Sequence, residues 1–359
     1  MTYTFKLAQA RVRHRLRFAR QIFAPPSIAL AGAYHYENLG DMALAATGSV
    51  LWPGPKRPAL QTTANIEKWP GRPLTLICGG AIVNDELVVK LRSRFGEYPI
   101  NLGLIGVELT KFGTPLSRDS AEFLAALPFF AVRNRSQSDL FERHGIRAAP
   151  LVIPDVVFGA PFDVPTSGKD AHPVLGINAT RGLGKETPVS NNQRRVINEV
   201  RRLFFRTAVK QAIKRGWRVE HVPFAISDDL CGRTLLDGLP VHFLSYDPDP
   251  ARVYARVARM AGFVATRYHA LIFALRAGVP VIPFHYASKN YWLAEDFMID
   301  LEPFGIREAI TGPTPAEVRQ RAERFYTLQA PQRDALSGQV RKAFGTAFST
   351  LGQAEDETP

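Results

Sequence analysis

The chain has 359 residues, 46% hydrophobic and 22% charged, the balance of a soluble globular protein long enough for two domains of ordinary size. Its 45 Lys and Arg against 33 Asp and Glu give a formal net charge of +12, which favours anionic partners. No apolar run reaches the roughly 18 residues of a membrane span, no zinc-finger or RNP-type motif points to nucleic acid, and the basic N-terminus lacks the apolar core of a secretory signal.

The two cysteines, Cys78 and Cys231, lie far apart without His or Cys neighbours at ligand spacing. They argue for a reducing compartment and against a structural metal or a disulfide framework. Residues 1–26 carry Lys6, Arg11, Arg13, Arg15, Arg17 and Arg20 and no acidic residue up to Phe23. Val12, Leu16 and Phe23 leave a weak apolar face, so the segment reads either as a basic amphipathic helix for an anionic membrane surface or as a solvated terminus. Pro25-Pro26 ends it.

A first domain is predicted over 27–160. A small apolar strand at 27–33 runs into the polar loop Tyr34 to Asp41 and a helix at 42–50, which Asp41 can cap. The proline-rich stretch 53–73 reads as irregular. A buried strand at 74–78 ends in Gly79-Gly80, where a backbone can approach closely. Helices at 86–95, 117–127 and 137–144 alternate with strands at 99–107, 129–132 and 151–153, which is the pattern of a doubly wound parallel sheet. Residues 158–172, rich in proline and without periodicity, read as the linker.

A second domain is predicted over 161–350. Its first strand, 174–177, ends in the glycine- and cation-bearing loop Asn178 to Lys185, which includes Arg181 but lacks Walker spacing. A long basic helix at 191–215, a strand at 217–222, a short helix at 228–236, a strand at 241–244 and a helix at 250–260 follow. The densest stretch is 262–283. It holds a buried strand at 263–265, then Arg267-Tyr268-His269, then an apolar helix ended by Gly278, then a second buried strand. That places a cation and a proton-transfer group at a strand's C-terminal end and a helix N-terminus, where open α/β sheets bind ligands and where an anion meets unpaired N–H groups. A polar loop at 283–290 carries Lys289. Helices at 315–326 and 333–348 close the fold, and 351–359 read as a disordered tail.

Five pieces resemble, in order, the pattern of the polysaccharide pyruvyl transferase family. They are Asn38-Leu39-Gly40-Asp41; Gly79-Gly80; Val132-Arg133 with Ser136 and Gly145-Ile146; Pro154-Asp155; and Arg267-Tyr268-His269 with Gly278-Val279-Pro280 and Lys289. Tyr268, Asn134 and Ala81 depart from it, where the family usually has Leu, Asp and Gly. The resemblance implies an α/β fold of two Rossmann-like domains facing across a cleft, like glycosyltransferases of the B type. It implies transfer of the pyruvyl group of phosphoenolpyruvate to a saccharide of a cell-surface polysaccharide, free or lipid-linked.

On that resemblance, Arg267 clamps an anion of the donor and His269 is the general acid/base. Tyr268, Arg133, Arg181 and Lys289 complete the donor site, while Asn38, Gly40, Asp41, Gly79 and Gly80 face the acceptor from the opposing domain. The expectation is an enzyme needing no metal or cofactor beyond phosphoenolpyruvate as donor substrate. It is expected to be cytoplasmic, with the inner membrane face as a peripheral partner and no nucleic acid. The residues also fit two other readings: a nucleotide-sugar glycosyltransferase of the same fold, with Glu295 at a ribose, or a non-catalytic carbohydrate- or membrane-binding module. The oligomeric state is not encoded in any motif.

Overall fold

The computed structural model describes residues 28–52, 58–69, 73–109, 116–162, 172–180 and 189–356. The basic N-terminal segment and Arg181 lie outside the described residues. The chain divides into two compact units, one of residues 1–36, 44–156 and 340–359, the other of 37–43 and 157–339.

The first unit is built on a six-stranded parallel sheet. Its strands are β1 (Ile28–Gly32), β2 (Ala59–Thr62), β3 (Leu74–Val83), β4 (Leu102–Leu109), β5 (Phe129–Val132) and β6 (Leu151–Val152), in spatial order β2-β1-β3-β4-β5-β6. The inner strands are apolar almost throughout because helices cover parallel sheets on both faces. Those helices are α1 (Leu39–Leu51), α2 (Asp85–Phe95), α3 (Arg118–Ala125) and α4 (Arg135–Arg143). Ile77, Leu104, Phe130 and Phe141 form part of the core they enclose. Asn84 and Ser117 start α2 and α3 by accepting a third-residue amide, as N-caps do. Gly79 sits in β3 at φ 69°, and a Cβ there would lie 2.4 Å from Leu44 Cδ2. Glycine is therefore required at that point both by conformation and by space.

The second unit has a five-stranded parallel sheet of β7 (Val174–Ile177), β8 (Arg218–His221), β9 (His242–Phe243), β10 (Gly262–Ala265) and β11 (Val281–Pro283), ordered β11-β10-β7-β8-β9. The chain winds outward from β7 to β9, returns to β10 on the other side of β7, and continues to β11. The direction of winding reverses between β7 and β10, and that crevice is where such sheets take ligands. The helices are α5 (Asn191–Lys214), α6 (Asp228–Leu235), α7 (Pro250–Val257), α8 (Tyr268–Ala277), α9 (Ser288–Asp296), α10 (Ile306–Ala309), α11 (Pro315–Arg321) and α12 (Ala330–Asp356). A full capping box of Ser190 and Gln193 starts α5. Phe204, Phe284 and Phe304 meet ring to ring at 5.1–6.0 Å in its core.

Four sequence expectations change. The stretch 53–73 holds β2 and a 3-10 turn, Thr63–Lys68. Four residues are too few to show a period, and β2 exists because it pairs with β1 from Ala29↔Ala59 to Gly32↔Thr62. Residues 283–290, read as a loop, run into α9. The expected boundary at 160/161 falls at 156/157, and 37–43 group with the second unit rather than the first.

Finally, α12 continues through the expected tail to Asp356, with residues from Val340 onward in the first unit. Val340, Phe344, Ala347 and Leu351 recur at helical spacing and are buried, with Leu351 against Gly103 and Phe348 edge-on to Trp52 at 5.5 Å.

His285, just past β11, is 1% exposed and packs against Tyr291 with ring centroids 4.7 Å apart and planes tilted by 41°, and neither ring nitrogen has a hydrogen-bond partner among the described residues. Burial, helped by the Arg307 charge, pushes its pKa down to about 3. The unfolded chain binds this proton below the ordinary histidine pKa and the folded chain does not. Its contribution to stability is therefore complete above about pH 6.5 and declines as pH falls from there toward 3. His285→Phe keeps an aromatic ring against Tyr291 and removes the proton. Urea unfolding across pH 4–6 is expected to show a slope shallower by about 1.4 kcal/mol per pH unit, with little change at pH 8. An unchanged slope would show that His285 does not carry it.

Candidate functional site

The polar groups of the second unit gather at the C-terminal ends of β7, β8 and β10. Asn178 follows β7, and its own amide extends the ladder by donating to Val264 O at 2.8 Å. Its side chain links three elements: Nδ2 donates to Val222 O at 3.2 Å and to Asp228 Oδ2 at 3.1 Å, and Oδ1 accepts from Arg267 N at 2.9 Å. Thr266 Oγ1 donates back to Asn178 O at 2.8 Å, and Asn290 Nδ2 donates to Thr266 O at 3.3 Å. Asn178, Asp228, Thr266 and Asn290 are all fully or almost fully buried.

Asp228, in the first turn of α6, is the centre of this cluster. Its Oδ2 accepts from Phe224 N and Ala225 N, both at 3.0 Å. Arg267 Nε lies 2.7 Å from Oδ2 and 2.9 Å from Oδ1, and Nη2 donates to Oδ1 at 2.7 Å and to Ser227 Oγ at 3.3 Å. The guanidinium thus grips the carboxylate two-pronged through Nε and Nη2, while Nη1 takes no part. Burial opposes the Arg267 charge, but the Asp228 carboxylate more than offsets this and holds its pKa above the ordinary value. Arg267, expected to clamp a donor anion, has most of its fork committed to Asp228, which leaves Nη1 for that role. That partner, 39 residues away in sequence, carries no motif of its own.

His269 is half-buried in the first turn of α8, edge-on to Tyr268 with ring centroids at 5.3 Å. A Cβ added at Gly40 would lie 1.9 Å from His269 Nδ1, so the ring rests directly on the Gly40 backbone. The segment 37–43 is fixed there by Leu39 N donating to Phe224 O at 2.8 Å, by Ile226 N donating to Glu37 O at 3.1 Å, and by the antiparallel bridge Asn38↔Ala225. Asn38, Gly40 and Asp41 therefore belong to the same unit as His269, not to an opposing domain. The backbone pairing with 224–226 is the reason. Asn38 Oδ1 accepts from Gly40 N at 3.0 Å and opens α1, the role expected of Asp41, which instead lies within the first turn.

Lys289, at the start of α9, extends its Nζ to 5.4 Å from the Tyr268 ring and 5.8 Å from the Tyr286 ring. Tyr268 is only 3% exposed, so it reaches the site as a platform for Lys289 rather than as an open contact. The N-termini of α8 and α9 follow the adjacent strands β10 and β11, and no side chain caps either one. First-turn amides of both helices, Lys289 and Arg267 Nη1 are the groups an anion would meet. Asn290 Oδ1, buried and with no hydrogen-bond partner among the described residues, adds an acceptor beside Thr266.

Three further expected site residues, Gly79, Gly80 and Arg133, belong to the first unit. Gly79 and Gly80 lie inside β3 of the first unit and serve its packing. Arg133, expected to contact the donor, is 3% exposed, donates to Asp155 Oδ2 at 3.1 Å and forms an ion pair with Glu108. Both partners are in the first unit, and a guanidinium so buried survives only by such pairing. Two motif pieces, Val132-Arg133 and Pro154-Asp155, are therefore halves of one ion pair.

Removing Arg267 would leave a fully buried carboxylate without its countercharge. Arg267→Ala is expected to destabilise the protein by about 3–5 kcal/mol, and adding Asp228→Asn is expected to recover a large part of this, since the charge then vanishes with its partner. Additive losses in the urea-unfolding double-mutant cycle would refute the pairing.

The family model for polysaccharide pyruvyl transferase matches residues 65–288, more than half of the chain. A search of curated proteins finds no match. Among solved structures, the chain is similar to UDP-GlcNAc 2-epimerase from Neisseria meningitidis bound to UDP-GlcNAc, at 12% identity and TM-score 0.55, covering 91% of this chain and 99% of that one. It is also similar to a putative UDP-N-acetylglucosamine 2-epimerase from Listeria monocytogenes, at 9% identity and TM-score 0.51, covering 92% and 98%. At such identities the likeness concerns the fold, two Rossmann-like α/β units. The matched span contains Asp228, Arg267 and His269 and ends at Ser288, and the chain belongs to the polysaccharide pyruvyl transferase family.

Proposed function

We propose that this transferase moves the pyruvyl group of phosphoenolpyruvate onto a pair of saccharide hydroxyls as a cyclic ketal. The observation that carries the reading is the pairing, at one switch point, of a cationic anion cradle with a histidine held on Gly40. Phosphoenolpyruvate brings a carboxylate and a phosphate. Lys289, Arg267 Nη1 and the first-turn amides of α8 and α9 supply the positive potential that both require.

The chemistry then needs one proton donor near neutrality. A first sugar hydroxyl adds to C2 of the enol, giving up its proton to the base, while the C3 methylene takes a proton from the acid to become methyl. A second hydroxyl displaces the phosphate from C2, and its proton leaves with the phosphate or on the base. His269, half-buried in the first turn of α8, is the group suited to give and take these protons. Asn38 and Asp41, beside Gly40, would orient the acceptor in this reading.

Calorimetric titration of phosphoenolpyruvate tests the donor site. Because Arg267→Ala also strands Asp228, Lys289→Ala is the cleaner variant. It is expected to weaken binding at least tenfold, about 1.4 kcal/mol, while His269→Ala largely spares it. UDP-GlcNAc, which a structural neighbour holds, is the control. Binding of the nucleotide sugar with none of phosphoenolpyruvate would replace this reading with a glycosyltransferase.

Gly40→Ala is expected to push the His269 ring aside. It should lower turnover of pyruvyl transfer about a hundredfold while donor binding persists, because catalytic groups displaced by an ångström lose roughly that much. Equal turnover by the variant would remove His269 from the chemistry.

A further inference from the structure

A groove of about 340 Å³, distinct from the site at the strand ends, lies between α5 and α11. Arg202, Arg206, Lys210 and Arg319 line it together with Leu203 and a single carboxylate, Glu199. Arg206 Nη1 donates to Asp237 O at 2.8 Å. None of Arg202, Lys210 and Arg319 is ion-paired with any described residue, whereas some exposed cations of the same unit are: Arg233 with Asp229, Arg252 with Asp247, and Arg256 with Glu220. Three cations without an ion pair around one groove that holds a single carboxylate leave a local positive surplus that suits an anionic partner.

The row is also ordered. Arg195, Arg202, Arg206 and Lys210 follow one another at spacings of seven, four and four and so share one face of α5. Arg195 to Lys210 spans about 22 Å of helix at 1.5 Å per residue, far longer than one phosphate group. Ile213, on the same face one turn further, is 38% exposed. No aromatic side chain lines the groove, so it lacks the stacking surface that single-stranded nucleic acid uses. A line of cations finished by an exposed aliphatic residue is the composition of a surface that rests on lipid headgroups and dips one apolar side chain among them. Among the described residues no helix is long and apolar enough to cross a membrane.

We propose that this α5–α11 face docks the protein on an anionic membrane surface, with the groove taking lipid phosphates. The inference does not rest on the pyruvyl reading, since none of these residues belongs to the strand-end site.

The test is co-sedimentation of the full chain with vesicles of phosphatidylglycerol and phosphatidylcholine, against phosphatidylcholine alone, over a salt series. Binding is expected only with the anionic lipid and is expected to weaken with salt. Each basic side chain near such a surface contributes about a fivefold gain, so R202A/K210A/R319A should lower partitioning about a hundredfold with unfolding midpoints and pyruvyl transfer in solution unchanged. R202K/R319K should retain binding, because the interaction is with charge rather than with a fork. Deleting residues 1–23 should leave the loss caused by the triple variant intact.

A triple variant that sediments like the parent overturns the proposal, as does a parent that ignores anionic vesicles. Displacement by millimolar inorganic phosphate would assign the groove to a free phosphate instead. A triple variant that loses duplex DNA but not vesicles would assign it to nucleic acid.

Discussion

The buried Asp228 carboxylate is the constraint on which the second unit's working end depends. A charge with no exposed surface is tolerated only when every lone pair is engaged, and here the partners come from three places in the chain. Phe224 and Ala225 offer backbone amides, Asn178 offers its side-chain amide, and Arg267 offers two prongs of its fork. Each partner is itself structural. The 224–226 loop pairs with 37–39, Asn178 fixes the Arg267 backbone, and Arg267 begins α8. One carboxylate therefore ties the ends of β7, β8 and β10 to the strip that carries Gly40. Its charge also decides what Arg267 can do. A guanidinium already paired on one side attracts an anion less strongly than a bare one, and it is held in a single orientation at no further entropic cost.

Positive potential at the site consequently comes from several weak sources rather than one strong one. Two helices begin at adjacent strand ends without a side-chain cap, leaving their first-turn amides for a ligand. Lys289 places its Nζ over two tyrosine faces, those of Tyr268 and Tyr286. Spreading the potential in this way suits a dianionic substrate with charges at two ends better than a single bidentate clamp would.

What could be read from residues alone follows from range. The parallel α/β class, the turn at Gly278 and the clustering of polar groups after β10 are local patterns, and the structure has Gly278 at φ 68° as the helix end. The family was legible because its pieces recur in order. The roles of those pieces were not. Arg133 and Asp155 are ion-pair partners 22 residues apart, and Arg267 and Asp228 are 39 apart, so neither pairing has a periodic signature. β2 escaped notice because a four-residue edge strand is set by its neighbour rather than by its own sequence. The helix through the C-terminal tail was partly visible in the spacing of Val340, Phe344, Ala347 and Leu351, and the polar end of the chain outweighed it.

The grouping of 37–43 with the second unit changes how the first motif should be understood. Asn38-Leu39-Gly40-Asp41 follows a strand of the first unit, and by the rule for open sheets its polar groups would serve that sheet's own mouth. Instead, Leu39 donates to Phe224, Asn38 bridges Ala225, and the bare Cα of Gly40 receives the His269 ring. The spacing between this strip and His269 is therefore fixed within one body and does not depend on how the two units are disposed. His269, the general acid of the proposed reaction, thus has its seat on Gly40 built into its own unit. Glycine at 40 follows from that geometry, because any side chain there would occupy the space the imidazole fills.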